Sequence, residues 1–288
     1  MVFIQDLDFH RFSGGAENTD KLHFQEGLRR GYDMAIVTPE NQTQAQFTPD
    51  DLIVYSNIRR FDVSQLASVK CPYVVFHHDT WCRYRLFYPR IPSKCLIRCP
   101  VKQEWARFFE KARLHIFLSP LHYQIHREVF GSLVEPHVEV PSPMPPGGFV
   151  NMNLKRDGYC NISGLHPFKG RDNLLKWAQD NPDKQLSILG ENPDKTKLPS
   201  NVKILPPVPP GRMPHFYNAF EHFIHLPDHV DPFCRSLAEA YLSGCKITGN
   251  ENIGCLSWPF FQNGRSAVEK ELTSAPQHFW EAIEKYAF

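Results

Sequence analysis

The sequence predicts an α/β protein made of two Rossmann-like domains with parallel sheets, and three observations lead to this class. Short apolar runs alternate with helical segments along the chain, which indicates parallel strands covered by helices. The densest cluster of proline and glycine, residues 141–148, separates two such alternating halves and is the best linker candidate. The length of 288 residues also suits about two domains.

The first half begins with a strand and continues as strand–helix alternation. Apolar and β-branched runs predict strands at 2–4, 34–37, 52–55, 73–76, 114–118 and 138–140. Helices are predicted between them over 17–30, 105–111 and 122–130. The first helix ends in two arginines followed by Gly31, a typical helix ending.

The second half repeats this pattern. Strands are predicted at 159–162, 185–189, 202–205, 223–226 and 246–248, and helices at 172–179, 213–219, 235–242 and 277–287. The last helix is rich in aromatic side chains, so we expect it to pack back on the first domain. The expected boundaries are therefore 1–146, 147–272 and 273–288. Ligands of open α/β sheets bind at the carboxyl ends of strands, and we expect the site in a cleft between two facing sheets.

Composition excludes several classes of protein. Hydrophobic residues make up 42% and charged residues 22%, which is usual for globular chains and not for disordered ones. The net charge of +1 gives no reason to expect nucleic acid as a partner. No apolar run reaches the roughly 18 residues of a membrane span, and the acidic N-terminus does not resemble a signal peptide. Eight cysteines without a CxxC pair indicate free thiols, and hence a cytoplasmic protein without a zinc site.

Two motifs of the first half offer polar groups after a strand. Gly14 and Gly15 precede the first predicted helix, where free amides favour an anion and glycine permits its close approach. The motif lacks the pattern of a dinucleotide fold and the lysine of a P-loop. His78 follows the strand at 73–76, and it is a candidate for contact with a polar ligand. Structural roles remain open for all three residues.

The second half contains a basic turn and a pair of acids. Lys169 and Arg171 stand between a strand and a helix, where two cations suit a diphosphate. Asp231 and Glu239 are eight residues apart. If the helix begins near Phe233, Asp231 lies in the loop before it and Glu239 about two turns inside it. A carboxylate on so apolar a helix is costly to bury without a partner, which favours a ligand role for Glu239.

In this order and spacing, the motifs resemble the family-4 retaining glycosyltransferases, also called glycosyl transferases group 1. The resemblance covers nearly the whole chain and includes a Tyr-x-x-Ala-like helix at Tyr217. It implies the GT-B architecture, in which two Rossmann-like domains face each other across a cleft. It also implies transfer of a sugar from a UDP-, GDP- or ADP-sugar to a glycan or lipid-linked hydroxyl acceptor, as in polysaccharide biosynthesis. No cofactor and no metal are expected beyond that donor.

The resemblance implies a role for six of the site residues. His78 would face the transferred sugar, Asp231 would meet its hydroxyls, Lys169 would bind the leaving diphosphate, Glu239 would hold the ribose, and Gly14 and Gly15 would let a loop close over the donor phosphates. Our predicted catalytic group is His78, Asp231, Lys169 and Arg235. Our predicted donor-binding group is Gly14, Gly15, Lys169, Arg171, Asp231, Phe233 and Glu239.

The sequence departs from the family pattern at three positions. Gly164 stands where the family has a phosphate-binding arginine, Cys234 where it has glycine, and Asp231 where it has glutamate. Arg235 is the favoured replacement for the missing cation because it begins the motif helix, and Arg171 is the alternative.

A basic and aromatic stretch, residues 83–113, holds nine basic residues against two acidic ones. A solvated face is its ordinary interpretation. The alternatives are peripheral contact with anionic lipid at the inner membrane face, a phosphorylated acceptor, or single-stranded nucleic acid.

Two other functions stay open at this point. Asp6 and Asp8 have the Asp-x-Asp form that binds manganese in metal-dependent glycosyltransferases, although their position near the start of the fold is unusual. The missing arginine and glycine also allow a non-catalytic module of the GT-B type that binds a nucleotide sugar or a glycan.

Overall fold

In a computed structural model, the chain divides into two compact units. The first comprises Met1–Met144 together with Glu271–Phe288, and the second comprises Pro145–Lys270. The structure describes residues 1–66, 68–80 and 102–288. Most of the basic stretch at 83–113 therefore lies outside the described residues. Each unit contains one parallel sheet, so the predicted α/β class with two parallel sheets is confirmed.

The sheet of the first unit has six strands in the order β2-β1-β3-β4-β5-β6, and all neighbours are parallel. They are β1 (Val2–Ile4), β2 (Ala35–Val37), β3 (Ile53–Ser56), β4 (Tyr73–His77), β5 (Leu114–Phe117) and β6 (His137–Glu139). The strand order reverses at β1 and β3, which makes their carboxyl ends the switch point of this sheet. β3, β4 and β5 are buried along their whole length, as expected for strands covered on both faces.

Within the described residues of the first unit, the strands are connected by the helices α1 (Gly15–Arg29), α2 (Val63–Leu66), α3 (Lys102–Glu110) and α4 (Pro120–Phe130). The start of α4 follows from sequence, because Ser119 caps it by accepting a hydrogen bond from the His122 amide and Pro120 opens its first turn. The core on one face of the sheet joins Ile53 and Val75 to Phe108 and Phe109 of α3.

The second unit has five strands in the order β11-β10-β7-β8-β9, again all parallel. They are β7 (Tyr159–Asn161), β8 (Leu186–Leu189), β9 (Val202–Leu205), β10 (His222–Ile224) and β11 (Lys246–Thr248). The helices are α5 (Arg171–Asp180), α6 (Met213–Asn218), α7 (Arg235–Leu242) and the beginning of α8 (Arg265–Tyr286). This order is that of a Rossmann fold, with its switch point between β7 and β10.

Helix α8 is longer than predicted. The predicted helix starts at residue 277, directly after Pro276, and proline lacks the amide that a helix interior needs. In the structure the helix runs from Arg265 through Pro276 to Tyr286. Leu272, Ala275 and Phe279 are fully buried on either side of the proline, and their packing outweighs its local effect.

The part of α8 that belongs to the first unit packs on α1 and β1. The Phe279 ring stacks on His23 at 4.1 Å between centroids, and the Trp280 indole donates a 2.7 Å hydrogen bond to the His23 carbonyl. Phe3 also contacts Phe279. Among the described residues, no helix combines the length and the apolar character needed to cross a bilayer.

Candidate functional site

The switch point of the second sheet brings two of the predicted motifs together. The turn after β7 holds Lys169, and the loop after β10 holds Asp231. Lys169 Nζ and Asp231 Oδ2 lie 3.8 Å apart. The strand order explains this contact, because β7 and β10 are neighbours and both carboxyl ends lie at the same edge.

Gly170 allows the two loops to approach each other. Its φ of +79° is in the left-handed region, and a Cβ at this position would overlap the carbonyl group of Leu226, just beyond β10. Two features of this position therefore require glycine: the left-handed backbone and the close contact with the neighbouring loop.

We expect Gly170→Ala to lower the free energy of unfolding by about 2–4 kcal/mol, because it combines left-handed strain with a backbone overlap. Urea unfolding followed by circular dichroism measures this loss. Gly211→Ala is the matched control, since a Cβ there meets nothing within 4 Å. Equal stability of the two variants would contradict the close approach of the loops.

Two histidines of the β10 loop interact with the charge of Asp231, and neither was predicted as a site residue. His225 Nε2 lies 3.4 Å from Asp231 Oδ2. Burial alone would lower the pKa of His225, but the Cys234 and Asp231 side chains raise it to about 10. Burial and the charge of Lys169 lower the pKa of His229 to about 4. Although burial opposes it, the charges of Lys169 and His225 hold the pKa of Asp231 below its ordinary value.

Cys234 stands at the start of α7 in an unusual backbone conformation. Its φ of +65° lies in the left-handed region, which a residue other than glycine seldom adopts. Glycine adopts this conformation without strain, and glycine stands here in the family pattern that the sequence resembles. The side chain is buried, with Sγ 3.5 Å from the Ser236 hydroxyl.

The second acid of the motif lies one turn along α7. Arg235 Nε and Glu239 Oε1 are 3.7 Å apart, and the Tyr217 hydroxyl donates a 3.1 Å hydrogen bond to Glu239 Oε2. Burial raises the pKa of Glu239, while the charge of Arg235 opposes this. Burial also lowers the pKa of Arg235. Phe233, predicted to bind the donor, is a core side chain with 2% exposure.

Arg171 has different partners from Arg235. Its guanidinium binds Asp172 at 2.9 Å and Asp194 at 2.5 Å, on the surface at the start of α5. The position of the family's arginine is occupied by Gly164, whose φ is +62°. A Cβ there would lie 2.9 Å from the Glu191 carbonyl oxygen, so this backbone has no room for the usual side chain.

In the first unit, Gly14 and Gly15 form the start of α1. Gly14 is the residue before the first turn and has an extended backbone. The Glu17 carboxylate folds back over it, so that a Cβ at position 14 would overlap Glu17 Oε2. A carboxylate thus lies beside the amides of this helix end, where an anion is favoured.

His78 belongs to a buried polar network in the first unit. Its Nε2 is 2.9 Å from Asp20 Oδ1, and the Ser56 hydroxyl donates to the same carboxylate at 2.7 Å. Burial alone would lower the pKa of His78, but the Asp20 carboxylate raises it. The network joins α1, the end of β3 and the residue after β4. It therefore fixes the orientation of the His78 ring and favours its protonated form.

The Asp-x-Asp alternative assigns metal binding to Asp6 and Asp8. The Asp6 carboxylate accepts the amides of Arg59 at 3.0 Å and Arg60 at 2.8 Å, one on each oxygen. Burial raises its pKa to about 6 despite these hydrogen bonds. Asp8 accepts the His10 amide at 2.8 Å. In this structure, both carboxylates accept hydrogen bonds from backbone amides of loops.

Sequence reasoning missed two groups that carry much of the local charge. His225 was counted within a predicted strand at 223–226, but the strand ends at Ile224, so His225 is the first residue beyond it. The rule that selected His78, a polar side chain directly after a strand, would have selected His225. Asp20 had a weaker signal as an acid on the buried face of α1.

Comparisons with known proteins identify the fold. No family model matches the sequence, and no curated protein matches it. Among solved structures, HepE from Anabaena in complex with UDP is similar over 99% of both chains, with a TM-score of 0.69 and 15% identity. HepE has also been solved with UDP and glucose and with UDP-glucose.

Two further solved structures match over most of their length. Sucrose-phosphate synthase from Thermosynechococcus elongatus has a TM-score of 0.68 at 13% identity, over 98% of this chain and 95% of that one. AviGT4, a glycosyltransferase involved in avilamycin A biosynthesis, has a TM-score of 0.59 at 13% identity, over 99% and 96%. The chain therefore has the GT-B fold, as its sequence motifs predicted.

Proposed function

We propose that the protein is a retaining glycosyltransferase that moves a sugar from a nucleotide-diphosphate sugar to a hydroxyl acceptor without a metal ion. The observation that carries this proposal is the pairing of Lys169 with Asp231 at the switch point of the second sheet. The GT-B fold and the Arg235–Glu239 pair on the adjacent helix support it. The acceptor class is a glycan or lipid-linked glycan of polysaccharide biosynthesis, modified on the cytoplasmic side.

The positive groups near Asp231 in the second unit suit a diphosphate leaving group. Lys169 Nζ and His225 Nε2 both lie within 4 Å of Asp231 Oδ2, and amides at the start of α5 and α7 add positive ends of helix dipoles. A cation placed where negative charge develops stabilises the transition state. We therefore assign Lys169 to the diphosphate and Asp231 to hydroxyls of the sugar. His78, in the first unit, keeps its proposed role as a sugar-contacting group.

The proposed chemical step is a front-face substitution. The bond from the anomeric carbon to the diphosphate oxygen breaks with its electron pair on the diphosphate, and the acceptor oxygen attacks the same face of the sugar. The acceptor proton passes to the departing phosphate oxygen. The sugar passes through an oxocarbenium-like state, so the step needs charge stabilisation and positioning rather than a protein nucleophile.

Arg235 is our proposed replacement for the missing phosphate-binding arginine. Gly164 has no room for a side chain, and Arg171 already binds two carboxylates on the surface. Arg235 begins the motif helix and pairs with Glu239, which we assign to the donor ribose.

The proposal is tested first by ligand binding and then by turnover. A thermal-shift screen with UDP, GDP, ADP and their sugars identifies the donor, and proton NMR of the product identifies the anomeric configuration. Retained configuration supports the proposal, and inverted product contradicts it. Nucleotide binding without hydrolysis or transfer of any donor would favour the non-catalytic module. Activity that EDTA abolishes would favour the Asp6/Asp8 metal site.

We expect Glu239→Ala to weaken nucleotide binding by about 10- to 150-fold, since a charge-assisted hydrogen bond to a ribose hydroxyl contributes about 1.5–3 kcal/mol. Isothermal titration calorimetry measures the affinity. Glu221→Ala is the control, because that exposed carboxylate pairs only with Lys246 and His222 among the described contacts. Unchanged affinity in Glu239→Ala would show that Glu239 serves the structure and not the donor.

A further inference from the structure

His225, Asp231 and Cys234 form a group of potential metal ligands at the carboxyl end of β10. One ring nitrogen, one carboxylate oxygen and Sγ lie within 4.8 Å of one another. We propose that this group binds a zinc ion, and that the bound ion blocks the use of Asp231 by a sugar donor. The second part rests on the proposed function, whereas zinc binding itself does not.

The distances suit a tetrahedral ion. Zinc bonds of about 2.0–2.2 Å to nitrogen and oxygen place two such ligands roughly 3.4 Å apart. His225 Nε2 and Asp231 Oδ2 are 3.4 Å apart. A zinc–sulfur bond of about 2.3 Å places Sγ roughly 3.6 Å from each of them. The three ligand atoms all lie within 4.8 Å of one another, so a small shift of the Cys234 side chain completes three protein ligands.

His225 gives an independent indication that a ligand belongs here. The residue is 2% exposed, and neither ring nitrogen makes a hydrogen bond within the described part of the chain, although Nε2 faces the Asp231 carboxylate at 3.4 Å. A buried polar atom without a hydrogen bond costs about 1–3 kcal/mol, and such atoms are scarce in folded proteins. A metal ion bound at Nε2 would lie between the ring and the Asp231 oxygen and would give this nitrogen a bonded partner.

The backbone conformation of Cys234 also supports a metal site. A left-handed conformation at a residue other than glycine costs about 1–2 kcal/mol and is found mostly where surrounding structure or function requires it. Glycine would remove this cost and would also remove the thiol. The strained position therefore holds a sulfur ligand next to an imidazole and a carboxylate, which is a donor set that zinc prefers.

Lys169 competes with the ion. Its ammonium group lies 3.8 Å from Asp231 Oδ2, where a zinc ion would withdraw the carboxylate from the pair. The Lys169 side chain is one-third exposed, so it can turn toward solvent when the metal binds. Zinc and Lys169 are thus alternative cations for the Asp231 carboxylate. In the zinc-bound protein, Asp231 is a metal ligand and cannot contact the sugar of the donor.

The binding test uses the full chain with Cys82, Cys95 and Cys99 replaced by serine, so that those three thiols cannot take up metal. We expect one equivalent of Zn²⁺ by equilibrium dialysis. Cobalt(II) as a probe should show thiolate-to-metal charge transfer and the intense visible bands of a tetrahedral site. Cys234→Gly should remove the charge-transfer band and weaken zinc binding at least tenfold while the backbone conformation is retained. Cys71→Ala is the matched control and should keep both.

Lys169→Met supplies a readout that a merely structural cluster would not give. Removal of the competing cation should tighten zinc binding about tenfold, and His225→Gln should weaken it as much as Cys234→Gly does. Absence of stoichiometric zinc, or cobalt spectra that Cys234→Gly leaves unchanged, would overturn the site. Donor turnover that zinc leaves unchanged, in protein shown to hold one zinc, would overturn the blocking role alone. Absence of any turnover bears only on the proposed function.

Discussion

Replacing Lys169 with alanine is expected to lower kcat for sugar transfer by about 100-fold or more, the usual loss when one stabiliser of transition-state charge is removed. The reason is that Gly164 has no side chain to offer. If Lys169 binds the diphosphate as we propose, it is expected to carry a larger share of the charge than usual. Steady-state kinetics with the donor found in the thermal-shift screen measures the loss. It should fall on kcat more than on KM, because the leaving charge develops only during the reaction.

Three matched variants make this result interpretable. Arg235→Ala should be nearly as damaging if Arg235 replaces the missing arginine, and Arg171→Ala should then be mild. Lys176→Ala is the control, because Lys176 forms an exposed ion pair with Asp180 and both residues lie on α5. If Lys169, Arg235 and Arg171 variants all turn over like the parent, the diphosphate assignment is wrong.

Mild acid is expected to destabilise the first unit by roughly 3–4 kcal/mol between pH 7 and pH 5, as the net of a loss at three buried histidines and a smaller gain at groups of opposite sign. His77 Nε2 and His115 Nδ1 are 2.9 Å apart, and His126 Nδ1 donates to the His122 carbonyl at 2.9 Å. Burial lowers the pKa of His115 and of His126 to about 4, and it holds the pKa of His77 well below its ordinary value.

The sign follows from proton uptake. In this pH range an unfolded histidine, with a pKa near 6.5, takes up a proton, while these folded histidines stay neutral. The unfolded state therefore binds more protons, and stability falls as pH decreases below about 6.5. Each histidine that stays neutral when folded contributes on the order of 2 kcal/mol at most over this range. Asp6 and His78 have the opposite sign, because burial raises the pKa of Asp6 to about 6 and the Asp20 carboxylate raises the pKa of His78, and they offset part of the loss.

Urea unfolding at a series of pH values measures this dependence. His126→Gln keeps a donor for the His122 carbonyl and removes one titrating group, so it should flatten the pH profile by about one proton. His10→Gln is the control, because His10 is exposed. A profile that stays the same in His126→Gln would show that this histidine does not produce the acid sensitivity.

Local patterns were enough to predict the two sheets. Runs such as 53–56 and 73–77 are short, apolar and bounded by polar turns, and they are buried strands in the structure. Helix α7 was predicted with its observed bounds, because glycine and serine end a clear apolar period. The order of the motifs along the chain also predicted the GT-B fold.

Tertiary packing decided what the patterns missed. Pro276 ends a helix by local rules, and only the buried residues around it show why α8 continues. His225 received no role because strand ends are uncertain by a residue or two, which is enough to hide a side chain at the sheet edge. The reason for glycine at position 164 lies in the backbone of Glu191, a contact that no spacing reveals.

The division of the first unit between two stretches of chain has a consequence for biosynthesis. Residues 1–144 form its sheet, but the aromatic side chains that cover Phe3 and His23 belong to 271–288. A ribosome adding about 5–20 residues per second needs roughly 6–25 s to make the intervening residues. During that interval the nascent first unit exposes an apolar face. The second unit, which is continuous from 145 to 270, is therefore the part that can complete its own core before the first does.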